Sequence, residues 1–172
     1  MIFADNKVQV SGWNSLTQSG SLILNINKPS LNSKVAAYLI DDSFLLKDEF
    51  HITCIGNSLA ESLSTEQLAL VEGMIAGVFV DDIYLDDKLY FIDSPKVVDG
   101  QLFERQAIIV SVISESLTNL LQEISDKLGI VIQPYLHITI ATRPDNQCAK
   151  RGIGIESYEK FELINQGEYI II

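Results

Sequence analysis

The chain has 172 residues, of which 47% are apolar and 20% charged, and its net charge is −11. This length suits one domain with a sizeable core, and the composition is not that of a disordered chain. So acidic a surface repels long duplex nucleic acid and favours a small or end-bound ligand. The sequence has no secretory signal pattern and no apolar stretch long enough for a membrane span, so we expect a cytoplasmic protein without a membrane partner.

The first half of the chain predicts a hairpin, two strands and a helix. Two apolar-rich runs around a turn-forming stretch predict a hairpin over residues 8–27. Short apolar runs predict strands at 35–40 and 50–55. Residues 64–78 combine a capping residue with one apolar face, which predicts an amphipathic helix.

The second half predicts further strands and a second helix. Residues 83–92 have the pattern of two short strands joined by a tight turn at 86–88. Residues 116–128 have a single apolar face and are followed by Gly129, which predicts a helix that ends there. The other predicted strands are 103–113, 135–142 and a closing strand or hairpin at 161–172. Short strands outnumber helices, so we expect an α+β fold with helices on the outer faces of sheets.

Both histidines of the chain are followed by Ile and then Thr. His51 and Thr53 belong to the predicted strand 50–55, and His137 and Thr139 belong to 135–142. Because side chains alternate along a strand, each motif presents an imidazole and a hydroxyl on one face and anchors its Ile in the core. One such motif is usually structural. Two motifs that use every histidine of the chain indicate a function.

Two imidazoles and two hydroxyls suit phosphodiester cleavage without a metal. An imidazole pKa near ~6.5 allows one ring to be neutral and the other protonated. The neutral ring would accept a proton from water or a ribose hydroxyl, and the protonated ring would protonate the leaving oxygen. The Thr hydroxyls would donate to the non-bridging oxygens as charge develops. The histidines, cysteines and paired aspartates lack metal-ligand spacing, so we expect no metal and no cofactor.

Two neighbours of the second motif are candidates for substrate binding. Strand parity predicts that Tyr135 and Arg143 share the face of His137. Tyr135 could stack on a base or serve as a strand-end core residue. Arg143, followed by Lys150 and Arg151, could bind a flanking phosphate or belong to a solvated loop.

The two motifs resemble those of the two-histidine (2H) phosphoesterase superfamily, which carries two copies of His-x-Thr/Ser followed by an apolar residue. The matching residues are His51, Thr53 and Cys54 in the first motif and His137, Thr139 and Ile140 in the second. The family includes RNA 2′,3′-cyclic phosphodiesterases, also called 2′-5′ RNA ligases. The resemblance covers residues 35–142 in outline. It implies an α+β fold of two pseudo-symmetric lobes of antiparallel sheet, with outer helices around a central cleft that both histidines face.

The expected function is therefore metal-independent hydrolysis of a 2′,3′-cyclic phosphate or a 2′-5′ phosphodiester on a nucleotide or RNA end. A non-catalytic nucleotide or RNA-end binding module of the same fold is the alternative. We expect one bilobed domain over 1–172, in which a hairpin extension (1–33) precedes a two-histidine core (34–172). Hydrolysis versus ligation, the oligomeric state, and which histidine is the base stay open at this point.

Overall fold

The computed structural model describes residues 7–16, 20–27, 44–143 and 153–169. These residues form a mixed α/β fold on a nine-stranded sheet, beside a separate two-stranded hairpin, and the described pairings are antiparallel. The strands are β1 (Lys7–Val8), β2 (Val10–Asn14), β3 (Leu22–Ile26), β4 (Leu45–Leu46), β5 (Phe50–Ile55), β6 (Ile83–Asp93), β7 (Lys96–Val98), β8 (Gln101–Phe103), β9 (Gln106–Ile113), β10 (His137–Arg143) and β11 (Asn165–Tyr169). The helices are α1 (Asn57–Glu61), α2 (Thr65–Ile75), α3 (Glu115–Leu128) and α4 (Tyr158–Ile164).

The two strands that carry the motifs are neighbours at the centre of the sheet. The strand order is β1-β6-β9-β10-β5-β3-β2, with β11 on β6 and β4 on β10. The predicted N-terminal hairpin is confirmed as β2 and β3, and β3 pairs with β5 along the length of both strands. The hairpin is therefore built into the same sheet as the first motif.

The two faces of the sheet are covered differently. The face that carries Ile52 and Ile138, here called the core face, packs against the buried side chains of α2 and α3. The opposite face carries His51 and His137 and is here called the motif face. Over β9 and β6 this face packs against a smaller apolar cluster that includes Phe161 of α4. The largest helices thus lie behind the motifs and leave the motif face to shorter segments.

Local signals account for both predicted helices. Ser64 caps α2 in a capping box with Gln67, and Ser114 caps α3 by accepting a hydrogen bond from the backbone N–H of Leu117. The α3 helix ends at Gly129, whose φ of 66° is a left-handed conformation that glycine adopts without strain. No helix among the described residues is both long enough and apolar enough to cross a membrane.

The tight turn predicted at 86–88 is wrong. β6 is continuous, and its register with β9 shifts between Leu85 and Leu89, which is a β-bulge. Leu85 pairs with Val112 and Leu89 pairs with Val110, and both leucines are buried. The polar residues 86–88 fall outside the regular pairing. Leu85 and Leu89, on either side of them, point to the same face of one continuous strand.

The C-terminal prediction is only partly correct. Residues from 161 onward were expected to form a strand or hairpin, but they begin within helix α4, which Ser157 caps through the backbone N–H of Lys160. The strand that follows, β11, does join the sheet by pairing with β6. The strand predicted at 35–40 lies outside the described residues.

Candidate functional site

The register between β5 and β10 brings the two motifs together. Ile52 pairs with Ile138, and both side chains are fully buried in the core. The two strands run in opposite directions, so the residue before Ile52 lies opposite the residue after Ile138, and the reverse. His51 therefore lies opposite Thr139, and Thr53 lies opposite His137. The two motifs are thus related by a local two-fold axis through the isoleucine pair, and their four functional side chains share the motif face.

This arrangement makes the two imidazoles neighbours. Side chains directly opposite in an antiparallel pair have Cβ atoms about 4.5–5.5 Å apart, and diagonal neighbours lie about 7–8 Å apart. His51 and His137 are such a diagonal pair, and His51 lies near enough to contribute to lowering the pKa of His137. The two imidazoles and the two hydroxyls therefore occupy one small area of the motif face.

His137 is the buried member of the pair, with 8% of its surface exposed. Its Nδ1 lies 2.7 Å from the carbonyl oxygen of Tyr135, so Nδ1–H donates to that carbonyl and Nε2 carries the lone pair in the neutral ring. Burial lowers the pKa of His137 below its ordinary value and outweighs the opposite effect of hydrogen bonds with the backbone of Tyr135 and Ile153. The ring is therefore held in one tautomer and favours the neutral form.

His51 is half-buried, and charged side chains lie near it. Partial burial lowers its pKa, Lys47 lowers it further, and Glu49 acts in the opposite direction. Lys47 belongs to the segment that joins β4 to β5, and its backbone N–H donates to the carbonyl oxygen of Ile140 at 2.9 Å. Sequence reasoning missed Lys47, because its approach to the motif face depends on this contact with a residue far along the chain.

The neighbouring strands add two further polar residues to the motif face. Asn25 on β3 pairs with His51, and Ser111 on β9 pairs with His137. Neither residue belongs to a motif, and each becomes part of the site only because its strand pairs with a motif strand. They extend the row of hydrogen-bonding side chains by one strand on each side.

Tyr135 supports the site in two ways. Its carbonyl fixes the ring of His137, and its hydroxyl makes a short hydrogen bond with the hydroxyl of Ser111. Its ring stacks on Phe161 with centroids 3.9 Å apart and an interplanar angle of 5°. Base stacking by Tyr135 stays a prediction, confined to the ring face that Phe161 does not cover.

Arg143 does not lie on the predicted face. Thr139 pairs with Ile109 and Ala141 with Ile108, so β10 contains a β-bulge at Ile140 that reverses the alternation of all later side chains. The guanidinium of Arg143 accordingly lies over the ring of Phe44, 4.5 Å from its centroid, and donates to Gln106. Phe44 belongs to the main core, so this prediction of a shared face is wrong.

The thiol of Cys54 lies away from the site. Cys54 points to the core, where burial raises the pKa of its thiol to about 12 and makes it unreactive. Among the described residues, no group of three or more His, Cys, Asp or Glu side chains is arranged to hold a metal ion. Lys150 and Arg151 lie outside the described residues.

No protein-family model matches the sequence, no curated protein is similar to it, and no solved structure matches its fold.

Proposed function

We propose that this protein is a metal-independent phosphodiesterase that hydrolyses a 2′,3′-cyclic phosphate or a 2′-5′ linkage on a nucleotide or RNA end. The observation that carries this proposal is the pairing of Ile52 with Ile138. Through it, two histidines and two threonines from distant parts of the chain share one surface at the spacing of a single phosphate group. The resemblance of the motifs to those of 2H phosphoesterases supports the same conclusion.

The reaction needs one proton acceptor and one proton donor. Water attacks phosphorus and gives a proton to the base, while the bond from phosphorus to a ribose oxygen breaks and that oxygen takes a proton from the acid. The hydroxyls of Thr53 and Thr139 donate to the non-bridging oxygens, on which negative charge increases in the transition state. Lys47 adds a positive charge near His51, which favours a phosphate anion on an otherwise acidic protein.

The surroundings of the two rings suggest a role for each. In the tautomer whose Nδ1–H donates to Tyr135, Nε2 of His137 carries the lone pair, and burial favours the neutral ring, as a base requires. His51 is more exposed and can take a proton from solvent, and a bound phosphate anion raises its pKa. We assign His137 as the base and His51 as the acid.

Two pseudo-symmetric lobes are part of the same proposal. Each motif strand pairs along its length with its outer neighbour, β5 with β3 and β10 with β9. The one register pair between β5 and β10, Ile52 with Ile138, makes a narrow seam between these halves. A shallow cleft along that seam would hold the phosphate.

The alternative function is a non-catalytic binder of nucleotides or RNA ends. The burial of His137 favours it, because a ring with 8% exposure is a poorer proton acceptor for water than an open one. The two functions differ in turnover, since a binder would hold a cyclic nucleotide without converting it.

Substrates with different leaving groups test the assigned roles. A 2′,3′-cyclic nucleotide expels a sugar oxygen that needs a proton, whereas a p-nitrophenyl phosphodiester expels a stable anion. His51→Ala should slow the first reaction about 10²- to 10⁴-fold and the second far less, while His137→Ala should slow both. The reverse pattern would exchange the roles. Binding without turnover of either substrate by the wild-type protein would reject the enzyme in favour of the binder.

A further inference from the structure

The two flanks of the histidine pair differ in what covers them. On the β9 and β6 side, Ile153, Ile155 and Phe161 pack on the motif face in an apolar cluster. On the β3 and β2 side, the described residues place no such cluster, and Asn25 is half-buried while Asn14 is exposed. Side chains of the N-terminal hairpin can therefore contact a substrate whose phosphate lies between the histidines.

That hairpin presents a row of four side-chain carboxamides, here called the carboxamide row: Gln9, Asn14, Asn25 and Asn27. Asn25 lies directly opposite His51, and its side-chain nitrogen donates to the side-chain oxygen of Asn14 at 2.9 Å. Asn27 donates in the same way to Gln9 at 3.5 Å, and a backbone hydrogen bond also joins these two residues. The row runs along the hairpin from the edge of the histidine pair.

The chemistry of the row identifies the class of ligand. Within each amide pair one residue donates and the other accepts, which leaves one carbonyl oxygen and one NH₂ group able to bind a ligand. Such a donor and acceptor set matches the edge of a nucleobase, as Asn and Gln side chains do when they bind bases elsewhere. The row carries no charge, so it forms no ion pairs with the further phosphates of a long RNA.

We propose that the carboxamide row, in which Asn25 lies opposite His51, binds the nucleobase of a mononucleotide-sized substrate. Neighbouring strands lie about 4.8 Å apart, so β3 and β2 lie about 5 and 10 Å from β5. This range suits a base joined to its phosphate through one ribose. The inference rests on the proposed function and deepens it, because it makes the hairpin a specificity element.

A binding experiment tests the row without depending on turnover. Dissociation constants are measured by NMR titration for 3′-adenosine monophosphate, ribose 5-phosphate and inorganic phosphate. The protein samples are wild type, Asn25→Ala, Asn14→Ala, Tyr135→Ala and Asn119→Ala. Asn119 is an exposed asparagine on α3, on the other side of the sheet, and serves as the matched control.

We expect the nucleotide to bind the wild-type protein at least 10-fold more tightly than ribose 5-phosphate. Asn25→Ala and Asn14→Ala should each weaken nucleotide binding about 5- to 20-fold and leave ribose 5-phosphate unchanged, as the loss of one or two hydrogen bonds predicts. Equal affinity for nucleotide and ribose 5-phosphate would reject nucleobase binding by the carboxamide row and leave the phosphodiesterase proposal intact. Loss of nucleotide affinity in Tyr135→Ala, with the asparagine variants unaffected, would show that the base binds on the β9 and β6 side of the histidine pair. Failure of all three ligands to bind would reject both proposals.

Discussion

His51 lies half-buried on β5, near Lys47 and Glu49, whereas His137 lies buried on β10 under the backbone of Tyr135 and Ile153. The two motifs have the same three residues and are related by a local two-fold axis, so the difference arises from what packs on each copy. Two copies of one motif thus occupy two different environments. Tertiary neighbours set the exposure and the pKa of each ring.

Replacing the histidines should have the largest effect and should break the equivalence of the two copies. Each of His51→Ala and His137→Ala should lower the rate on a cyclic nucleotide about 10²- to 10⁴-fold. The double variant should lose much less than the product of the two, because the rings act as a unit. Turnover by the double variant near the wild-type rate would contradict the pair.

The same two histidine variants should also differ in their free energy of unfolding. His137→Ala leaves the carbonyl of Tyr135 without its ring partner and empties a buried site, which should cost about 1–3 kcal/mol of unfolding free energy. His51→Ala should cost much less, since that ring is half-exposed. Urea unfolding measures both, and equal losses would mean that the two rings are equally part of the core.

The threonines should respond alike, because the two-fold relation sets each hydroxyl opposite the other copy's histidine. Thr53→Val and Thr139→Val should each lower kcat about 10- to 1,000-fold with little change in stability, and Thr→Ser should be mild. The exposed Thr65 at the start of α2 provides a Thr→Val control away from the site. Wild-type kcat in either site variant would remove that hydroxyl from the mechanism.

The pH profile sharpens the electrostatic part of the comparison. If the active form has one ring protonated and one neutral, kcat/KM should follow a bell whose maximum lies between the two pKa values of the pair. Both pKa values are lowered from 6.5, chiefly by burial, so this maximum should lie below about pH 6.5. The profile of kcat should lie at higher pH, because bound phosphate favours the protonated rings. A kcat/KM maximum above pH 7 would contradict the lowered values.

Chelation should have the smallest effect. If the two rings and hydroxyls are a complete acid–base set, EDTA should leave hydrolysis of a cyclic nucleotide unchanged. Activity that disappears with EDTA and returns with Zn²⁺ or Mn²⁺ would assign the reaction to a metal site and would reject the proposed mechanism. A second chelator should likewise leave the rate of hydrolysis unchanged.

Local patterns in the sequence were sufficient to predict a large part of this protein. Caps and apolar periodicity predicted α2 and α3, and Gly129 predicted the end of α3. Alternation along the strands predicted that each histidine shares a face with its threonine, since Ile52 and Ile138 are both buried behind them. These features depend on residues a few positions apart, whose relation is the same in any fold that contains the element.

Pairing between distant strands decided the rest. The bulge at Ile140 turned Arg143 to the core face, and the bulge in β6 replaced a predicted turn, because register is fixed by the partner strand. No local sequence pattern identifies Asn25, Ser111 or Lys47 as part of the site. Asn25 and Ser111 lie beside the histidines because β3 and β9 pair with the motif strands, and Lys47 lies near His51 in the segment before β5. The burial that makes His137 unlike His51 comes from a segment that follows it in the chain and packs on β9. Identical local sequences thus acquired different chemistry because desolvation and hydrogen bonding depend on contacts that only the folded chain brings together.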